Sequence, residues 1–253
     1  MYLINNDYNT ALSKYKEVLK LNPENPEVSV NIGMLYLKQS QVDNAYFYLK
    51  ETLKYYPNHT NALLALGSIN QDKGDLEGAL TNYRLSSKVS CNYSLLWNNL
   101  GLCFLSKKKY ITAIACLKKA LYLDPLQWII NFNLGLVYIL TGQFSSAYIH
   151  MNAVANLKSS LSIVFMYLGL ILSRLSDVQS SIEFYEKSLN LEENYLTSFN
   201  YVVSLINNEM LGNARVKYSD FVKIFNNDSK EDIYKEDVIN ASKTIKDILK
   251  KIK

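Results

Sequence analysis

Histidine is the residue type in this sequence with the greatest potential for catalysis or metal binding. The chain has 253 residues but only two histidines, His59 and His150, and neither is accompanied by clustered carboxylates or thiols. A zinc site needs about three or four such ligands. The sequence also lacks the GxxxxGK[ST] and GxGxxG phosphate loops, the GxSxG nucleophile elbow and the HExxH helix. These features predict a non-catalytic chain with no metal, no cofactor and no small-molecule substrate.

The three cysteines could in principle support redox chemistry. Cys91, Cys103 and Cys116 form no CxxC pair and are odd in number, which is typical of a reduced, cytoplasmic protein. Cys103 and Cys116 lie on neighbouring predicted helices and could be interpreted as a redox pair. Because cysteine commonly packs as a small apolar residue, we favour packing over redox chemistry for both.

Charge is spread thinly along the chain. Twenty-seven Lys and Arg against 23 Asp and Glu give a net charge of +4, without a basic stripe that would predict nucleic acid as a partner. The run Lys107 to Lys109 could contact an acidic partner or a lipid headgroup, but a solvated turn is the interpretation we favour. The first residues do not resemble a secretion signal and no apolar run is long enough to span a bilayer, so we expect only indirect membrane contact.

The elements that position these residues follow from a repeat. Two series of small residues each recur every 34 positions, and the second follows the first by 12 residues. The first series is Gly33, Gly67, Gly101, Gly135 and Gly169. The second is Ala11, Ala45, Ala79, Ala113 and Ala147, continued by Ser181. Two series with one period predict a tandem array of similar units.

This pattern resembles the tetratricopeptide repeat, whose unit is a pair of antiparallel helices, A and B. The most complete copy of the motif comprises Trp97, Leu100, Gly101, Phe104, Ala113, Ala120 and Pro125. The resemblance implies an all-α fold, a right-handed superhelical α-solenoid. Close approach of the two helices would place the glycine of helix A opposite the alanine of helix B.

The period also sets the expected boundaries. We expect the tail of a truncated repeat at 1–25, repeats at 26–59, 60–93, 94–127, 128–161 and 162–195, a degenerate repeat at 196–229, and a C-terminal capping helix at 230–253. In the degenerate repeat the small residue, Ala214, arrives one position early. Because Tyr2 falls at the aromatic position of a helix A, we expect the sequence to start inside a helix.

The terminal helix is predicted from its cap and its apolar face. Ser229 is the candidate cap, with Asp232 in the capping-box position. The expected apolar face consists of Val238, Ala241, Ile245, Ile248 and Ile252. We favour a helix that covers the end of the array over one that binds a partner or a membrane surface.

The expected working surface is the concave wall formed by helix A positions on either side of the glycine. The candidate partner-binding residues are Val30, Met34, Leu64, Asn98, Leu102, Phe132, Leu136, Met166 and Leu170, with Ser68 at an equivalent position. Most are apolar. Two interpretations stay open: a partner helix or extended segment is buried there, or tight winding of the array covers the residues internally.

Two specialised uses of the concave wall can be compared with this sequence. Binding of chaperone tails needs Lys and Asn at these positions to hold a carboxylate, and that pair is absent. Asn31, Asn99 and Asn133 resemble the asparagine ladder of the O-linked N-acetylglucosamine transferase repeats. The series is interrupted by Ala65, Tyr167 and Tyr201.

A closer resemblance covers the stretch from Ser94 to Tyr138. It includes Cys103, the run Lys107 to Lys109, Cys116 and Trp128, none of which the generic repeat requires. This stretch resembles the Bardet–Biedl syndrome 4 family. That resemblance implies a non-catalytic BBSome subunit that acts in ciliary membrane-protein trafficking and cilium assembly. The implied partners are other BBSome-like subunits and centriolar-satellite or motor-adaptor proteins, with a location at the centrosome, basal body and cilium.

Two other functions compete with this hypothesis. One is the substrate-binding repeat arm of an enzyme resembling O-linked N-acetylglucosamine transferase. The other is a generic co-chaperone or adaptor. The interrupted asparagine series disfavours the first, and the missing carboxylate-binding lysine disfavours the chaperone form of the second.

Overall fold

The computed structural model describes residues 7–227 and 235–251, within which the chain forms fourteen α-helices and no β-strand. The all-α expectation is therefore confirmed. Two compact units divide the chain, the first ending at Pro125 and the second beginning at Leu126.

The first unit contains one helix followed by three A/B pairs. Its helices are α1 (Tyr8–Leu21), α2 (Pro26–Lys38), α3 (Val42–Tyr55), α4 (Thr60–Asp72), α5 (Leu76–Val89), α6 (Ser94–Ser106) and α7 (Tyr110–Leu123). The A helices α2, α4 and α6 have 13 residues each, and the B helices α3, α5 and α7 have 14.

The second unit continues the alternation and ends with two longer helices. Its helices are α8 (Trp128–Leu140), α9 (Phe144–Leu157), α10 (Ser162–Arg174), α11 (Val178–Leu191), α12 (Tyr195–Asn207), α13 (Leu211–Asn227) and α14 (Lys235–Lys251). Both α13 and α14 have 17 residues.

Side-chain caps explain where several helices begin. Asn25 Oδ1 accepts from the backbone N–H of Val28 at 3.2 Å, and Pro26 occupies the first helical position, where a missing N–H is tolerated. Asp75 Oδ1 accepts in the same way from Gly78 N at 2.9 Å. Each cap satisfies an N–H that the helix itself leaves unpaired.

The turn between helices A and B uses one left-handed residue in every regular repeat. These residues have φ between 57° and 81° and lie 34 positions apart: Ser40, Gly74, Lys108, Gly142 and Ser176. The next residue then donates back to helix A, as from Gln41 N to Tyr36 O at 2.8 Å. In the degenerate repeat the left-handed residue is Glu209, one position early, like the small residue Ala214.

The glycine of helix A was expected to lie opposite the alanine of helix B, but its tightest contact is with a different residue. A Cβ added to Gly101 would lie 2.7 Å from Cγ of Leu117, and its distance to the Ala113 carbonyl oxygen would be 3.3 Å. The residue that fills the space over the glycine is thus one helical turn beyond the alanine. The same relation links Gly33 with Leu49. The alanine lets the helices approach, while the following side chain makes the tightest contact.

The C-terminal helix packs on α13 through only part of the predicted apolar face, with Leu249 as an additional buried residue. Val238, Ile245 and Leu249 are buried, whereas Ala241 and Ile248 are exposed. Two hydrogen bonds from α13 hold the terminal helix in this orientation. Arg215 Nη2 donates to Leu249 O at 2.8 Å, and Tyr218 Oη donates to Ser242 O at 3.2 Å. The predicted cap Ser229, its partner Asp232, and Ile252 lie outside the described residues, as does Tyr2.

Candidate functional site

A groove on the first unit is the candidate functional site. It has a volume of about 560 Å³ and runs across the A helices α2, α4 and α6. Its lining includes Tyr15, Val30, Asn31, Met34, Lys38, Asn61, Leu64, Ala65, Ser68, Tyr93, Leu95 and Asn99. The spacing of about three or four residues along each A helix places these side chains on one face.

Apolar side chains form both the floor and the rim of the groove. Val30 and Leu64 are buried, with 2% and 6% of their surface exposed, and form the floor. Met34, Tyr93 and Leu95 lie at the rim and are 42%, 44% and 55% exposed. Large apolar side chains that stay in water next to a concave surface are typical of a protein-binding site.

Primary amides supply most of the polar groups of the groove. Asn31, Asn61 and Asn99 come from three successive A helices. Asn99 Oδ1 already accepts from Asn98 Nδ2 at 3.2 Å, whereas Asn31 and Asn61 are exposed. An amide side chain can donate to and accept from the backbone of a bound peptide without changing its charge.

Asn61 was not identified by sequence reasoning. Asn31 and Asn99 occupy the same repeat position, and Ala65 takes that position in the repeat between them. Asn61 precedes Ala65 by four residues, one turn of the same helix face, and so brings an amide into the gap. A search one turn on either side of the repeat position would have found it. Tyr93 and Leu95 were also missed, because they lie at the start of α6, away from its glycine.

The predicted concave residues of the first unit fall into two groups. Val30, Met34, Leu64 and Ser68 line the groove. Asn98 is buried, at 5% exposure, and Leu102 is partly buried.

In the second unit the predicted residues pack mainly against their own unit. Phe132 makes an edge contact with Tyr167, with ring centroids 5.8 Å apart. Met166 is buried and accepts from Asn200 Nδ2 at 3.5 Å. Leu136 and Leu170 are partly buried, so all four of these residues keep limited exposure. Asn133, of the predicted asparagine series, is also buried.

Both histidines have structural contacts. His59 caps α4, since its Nδ1 accepts from Ala62 N at 3.3 Å, and its Nε2 lies 3.1 Å from Glu27 Oε1. The first contact requires Nδ1 to be unprotonated, so Nε2 carries the hydrogen that faces the carboxylate. His150 stacks on Tyr138 at a centroid distance of 5.6 Å, and its Nδ1 lies 2.9 Å from Asn131 Oδ1.

The cysteines are free thiols, two of them buried. Cys103 is fully buried and its Sγ lies 3.2 Å from Gln71 Oε1. Burial raises the pKa of the Cys103 thiol to about 11 and also raises the pKa of Cys116. A thiol that stays protonated is a poor nucleophile, which agrees with a packing role. Cys91 is exposed.

The basic turn between α6 and α7 is partly neutralised. Lys107 pairs with Glu77 of α5, and this contact lowers the pKa of the Glu77 carboxyl. Lys108 and Lys109 are exposed. Within residues 7–227 and 235–251, no cluster of His, Cys, Asp and Glu side chains could hold a metal ion. Over the same ranges, no helix combines the length and the apolar character needed to cross a bilayer.

Comparison with protein-family models identifies the repeat. Models of the tetratricopeptide repeat match residues 30–86, 94–125 and 165–195, and a model described as TPR repeat matches residues 1–40. The chain belongs to the tetratricopeptide-repeat family. The prediction of an all-α tetratricopeptide-repeat solenoid is thereby confirmed, and these matches include the groove residues given above except Tyr93.

Individual curated proteins give a more specific comparison. The chain is 37% identical over 227 residues to BBSome complex member BBS4 of Bos taurus, covering 89% of this chain and 44% of that protein. It is 34% identical over 192 residues to the Drosophila melanogaster homolog, covering 76% of this chain and 40% of that protein. The chain therefore spans less than half the length of these relatives. The predicted resemblance is confirmed.

A solved structure agrees with the repeat fold. The APC/C hetero-tetramer Cut9–Hcn1 superposes with a TM-score of 0.72 over 93% of this chain and 46% of that chain, at 15% identity. At this identity the likeness concerns the fold alone.

Proposed function

We propose that this tetratricopeptide-repeat chain is a non-catalytic scaffold subunit of a BBSome-type complex. In this role the groove of the first unit holds a segment of a neighbouring subunit. The observation that carries the proposal is the 37% identity over 227 residues to a protein described as a BBSome complex member. That aligned length is about fourfold greater than any single family-model match, the longest of which covers residues 30–86.

The groove offers the chemistry that such a scaffold needs. An apolar side chain of the partner would pack on Val30 and Leu64 and exclude water from them. Asn31 and Asn61 would hydrogen-bond to the partner's backbone amides at the edge of that contact. Because the polar groups are mainly neutral amides, we propose an uncharged, partly apolar segment as the bound partner rather than an acidic tail.

The same similarity supports a proposal about the cellular role. We propose that the chain acts in ciliary membrane-protein trafficking and cilium assembly, with a cytoplasmic pool and sites at the centrosome, basal body and cilium. Its partners would be other BBSome-like subunits and centriolar-satellite or motor-adaptor proteins. Nucleic acid and direct membrane insertion form no part of this proposal.

The test is a quantitative affinity purification of the tagged chain from ciliated cells, followed by mass spectrometry. We expect several other BBSome members to be enriched with the wild type. The variant Met34→Asp/Leu95→Asp places charge at the groove rim and should lose at least one of them by about tenfold. Both positions are exposed, so the change should leave the helices folded.

The matched control is Val18→Asp/Leu85→Asp. These two apolar residues are 44% and 38% exposed but lie outside the groove. The control should recover the same proteins as the wild type. Enrichment of chaperones or of a sugar transferase in place of BBSome members would contradict the proposal. Equal recovery with the groove variant and the control would contradict the assignment of the groove alone.

A further inference from the structure

Helix α7 presents an apolar stripe to solvent on the first unit, away from the groove. Ile111 and Tyr122 are 88% and 85% exposed, among the most exposed large apolar side chains of the chain. Ala115 and Lys118 lie between them and are also exposed. The spacing 111, 115, 118 and 122 puts all four on one side of the helix. These four residues are the α7 outer face.

The repeat itself does not require apolar residues there. The residue 34 positions before Ile111 is Glu77, and the one 68 positions before it is Asp43. Tyr122 likewise corresponds to Lys88 of α5 and to Lys54 of α3. The two preceding B helices of the same unit thus carry charged residues at both ends of the equivalent stripe. At these two positions helix α7 exposes apolar side chains, whereas α3 and α5 each have an acidic residue at the first and a lysine at the second.

Positive charge predominates around the stripe, although Asp124 lies at the C-terminal cap of α7 and Glu77 lies beside Lys107. Residues 93–123, which include α6 and α7, contain five lysines and no Asp or Glu. Lys107 is paired with Glu77, and Lys119 Nζ lies 3.7 Å from the centroid of the Trp97 ring. Lys108 and Lys118 are exposed, and neither forms an ion pair in the part of the chain that the structure describes. A partner would therefore meet positive charge on and beside the stripe.

The shape of the face suits another helix. Ile111 and Tyr122 are separated by eleven residues, or about 16 Å along the axis. The small Ala115 lies between them, so a second helix could approach closely and contact both large side chains. We infer that the α7 outer face is a second docking surface, which binds an acidic amphipathic helix of another protein.

A displayed library of helical peptides would test this inference on the full chain. Each peptide would have 18 residues with a fixed leucine seam, and its flanking positions would vary between Glu and Lys. We expect peptides selected on the wild-type chain to be enriched in Glu. We expect the variant Ile111→Glu/Tyr122→Lys to bind the selected peptides at least about tenfold more weakly. Because this variant copies the residues of α5, it should fold normally, which circular dichroism would verify.

The variant Val18→Asp/Leu85→Asp, which lies outside both the groove and the α7 outer face, serves as the matched control and should bind the selected peptides like the wild type. Selection without enrichment in Glu would overturn the inference. So would equal binding by wild type and Ile111→Glu/Tyr122→Lys. Vesicles of phosphatidylserine and phosphatidylcholine form a separate arm. Binding of the wild type to these vesicles, with no Glu-rich peptide selected, would replace the protein partner with a lipid surface.

Discussion

At the residue scale, the contact between a glycine and a large side chain determines how closely the helices of each pair approach. Gly101 faces Leu117, and Gly169 faces the Tyr185 ring, whose Cγ would lie 3.0 Å from an added Cβ. A Cβ at either glycine would be too close to these atoms, so the side chain or the helix would have to move. The glycine therefore keeps the pair tightly packed.

Substitution of Gly101 by alanine tests this contact. We expect Gly101→Ala to lower the free energy of unfolding by about 2 kcal/mol, because overpacking against Leu117 outweighs the higher helix propensity of alanine. Urea unfolding followed by circular dichroism measures the change. Gly212 is the matched control, since an added Cβ there would meet no atom within 4 Å. Gly212→Ala should be neutral or stabilising by up to about 1 kcal/mol. Equal loss in both variants would contradict the packing argument.

Buried ionisable groups predict the response of the protein to alkaline pH. Burial raises the pKa of the Cys103 thiol to about 11 and also raises the pKa of the Tyr83 hydroxyl. The unfolded chain, with an ordinary thiol pKa of about 8.5, then ionises before the folded chain. The contribution of Cys103 to the free energy of unfolding is therefore complete below about pH 8.5. It is lost as the pH rises to about 11, the pKa of the thiol in the folded chain.

We therefore expect the free energy of unfolding to be lower at pH 10 than at pH 7. Urea titrations at the two pH values measure the difference. The variant Cys103→Ala should show a smaller difference, since the thiol has been removed, while the Tyr83 contribution at higher pH remains. An unchanged difference in Cys103→Ala would show that Cys103 ionises similarly in the folded and unfolded states.

At the scale of elements, the left-handed turn between helices A and B ends helix A and directs the chain into helix B. Two of the regular turns have glycine, at Gly74 and Gly142, while Ser40, Lys108 and Ser176 adopt the same conformation with a side chain. A left-handed φ is unfavourable by about 1 to 2 kcal/mol for residues with a Cβ. These turns are held by hydrogen bonds back to helix A, such as that from Asp177 N to Leu172 O at 3.0 Å.

Removal of a side chain at this position in one turn and addition of a side chain in another should have opposite effects on stability. Ser176→Gly should stabilise the protein by about 0.5 to 1 kcal/mol, because it relieves the left-handed strain. Gly142→Ala should destabilise it by about 1 kcal/mol for the converse reason. Thermal unfolding of the two variants beside the wild type measures both shifts. A fall in melting temperature for Ser176→Gly would contradict this account of the turn.

At the scale of the whole molecule, the chain divides into two compact units, and each unit contains a hydrophobic cluster. One cluster of the first unit includes Ile32, Leu49 and Ile69, and a cluster of the second includes Tyr185 and Tyr201, whose rings stack at 5.2 Å. In repeat proteins stability comes mainly from neighbouring helices, so a segment with its own packed pairs can fold.

We expect a fragment of residues 1–125 to fold by itself, since it contains three complete helix pairs. Far-ultraviolet circular dichroism should show a helical spectrum and a cooperative thermal transition. A fragment of residues 1–108 is the control. It lacks α7, which covers Gly101 and the buried Cys103 cluster, and should be less stable. Absence of a cooperative transition in the 1–125 fragment would contradict the independence of its core.

Much of this organisation could be predicted from the sequence because the repeat imposes it locally. The 34-residue spacing of glycines such as Gly33 and Gly67 indicated helix pairs, and the A helices of the regular repeats begin where the period places them. Helix periodicity fixes which residues share a face, so Val30 and Met34 could be assigned to one wall. These properties depend on short stretches of chain.

The tertiary structure decided what local spacing could not. It brought Asn61 between Asn31 and Asn99, since the positions of three helices together determine which side chains share a groove. It buried Asn98, although a position beside the glycine was predicted to be a working surface. In the terminal helix it buried Leu249 in place of the predicted Ile248, and hydrogen bonds from α13 hold the helix in that orientation. The period of a sequence specifies which residues share a helix face, but only the packing of neighbouring helices determines which part of that face stays open to a partner.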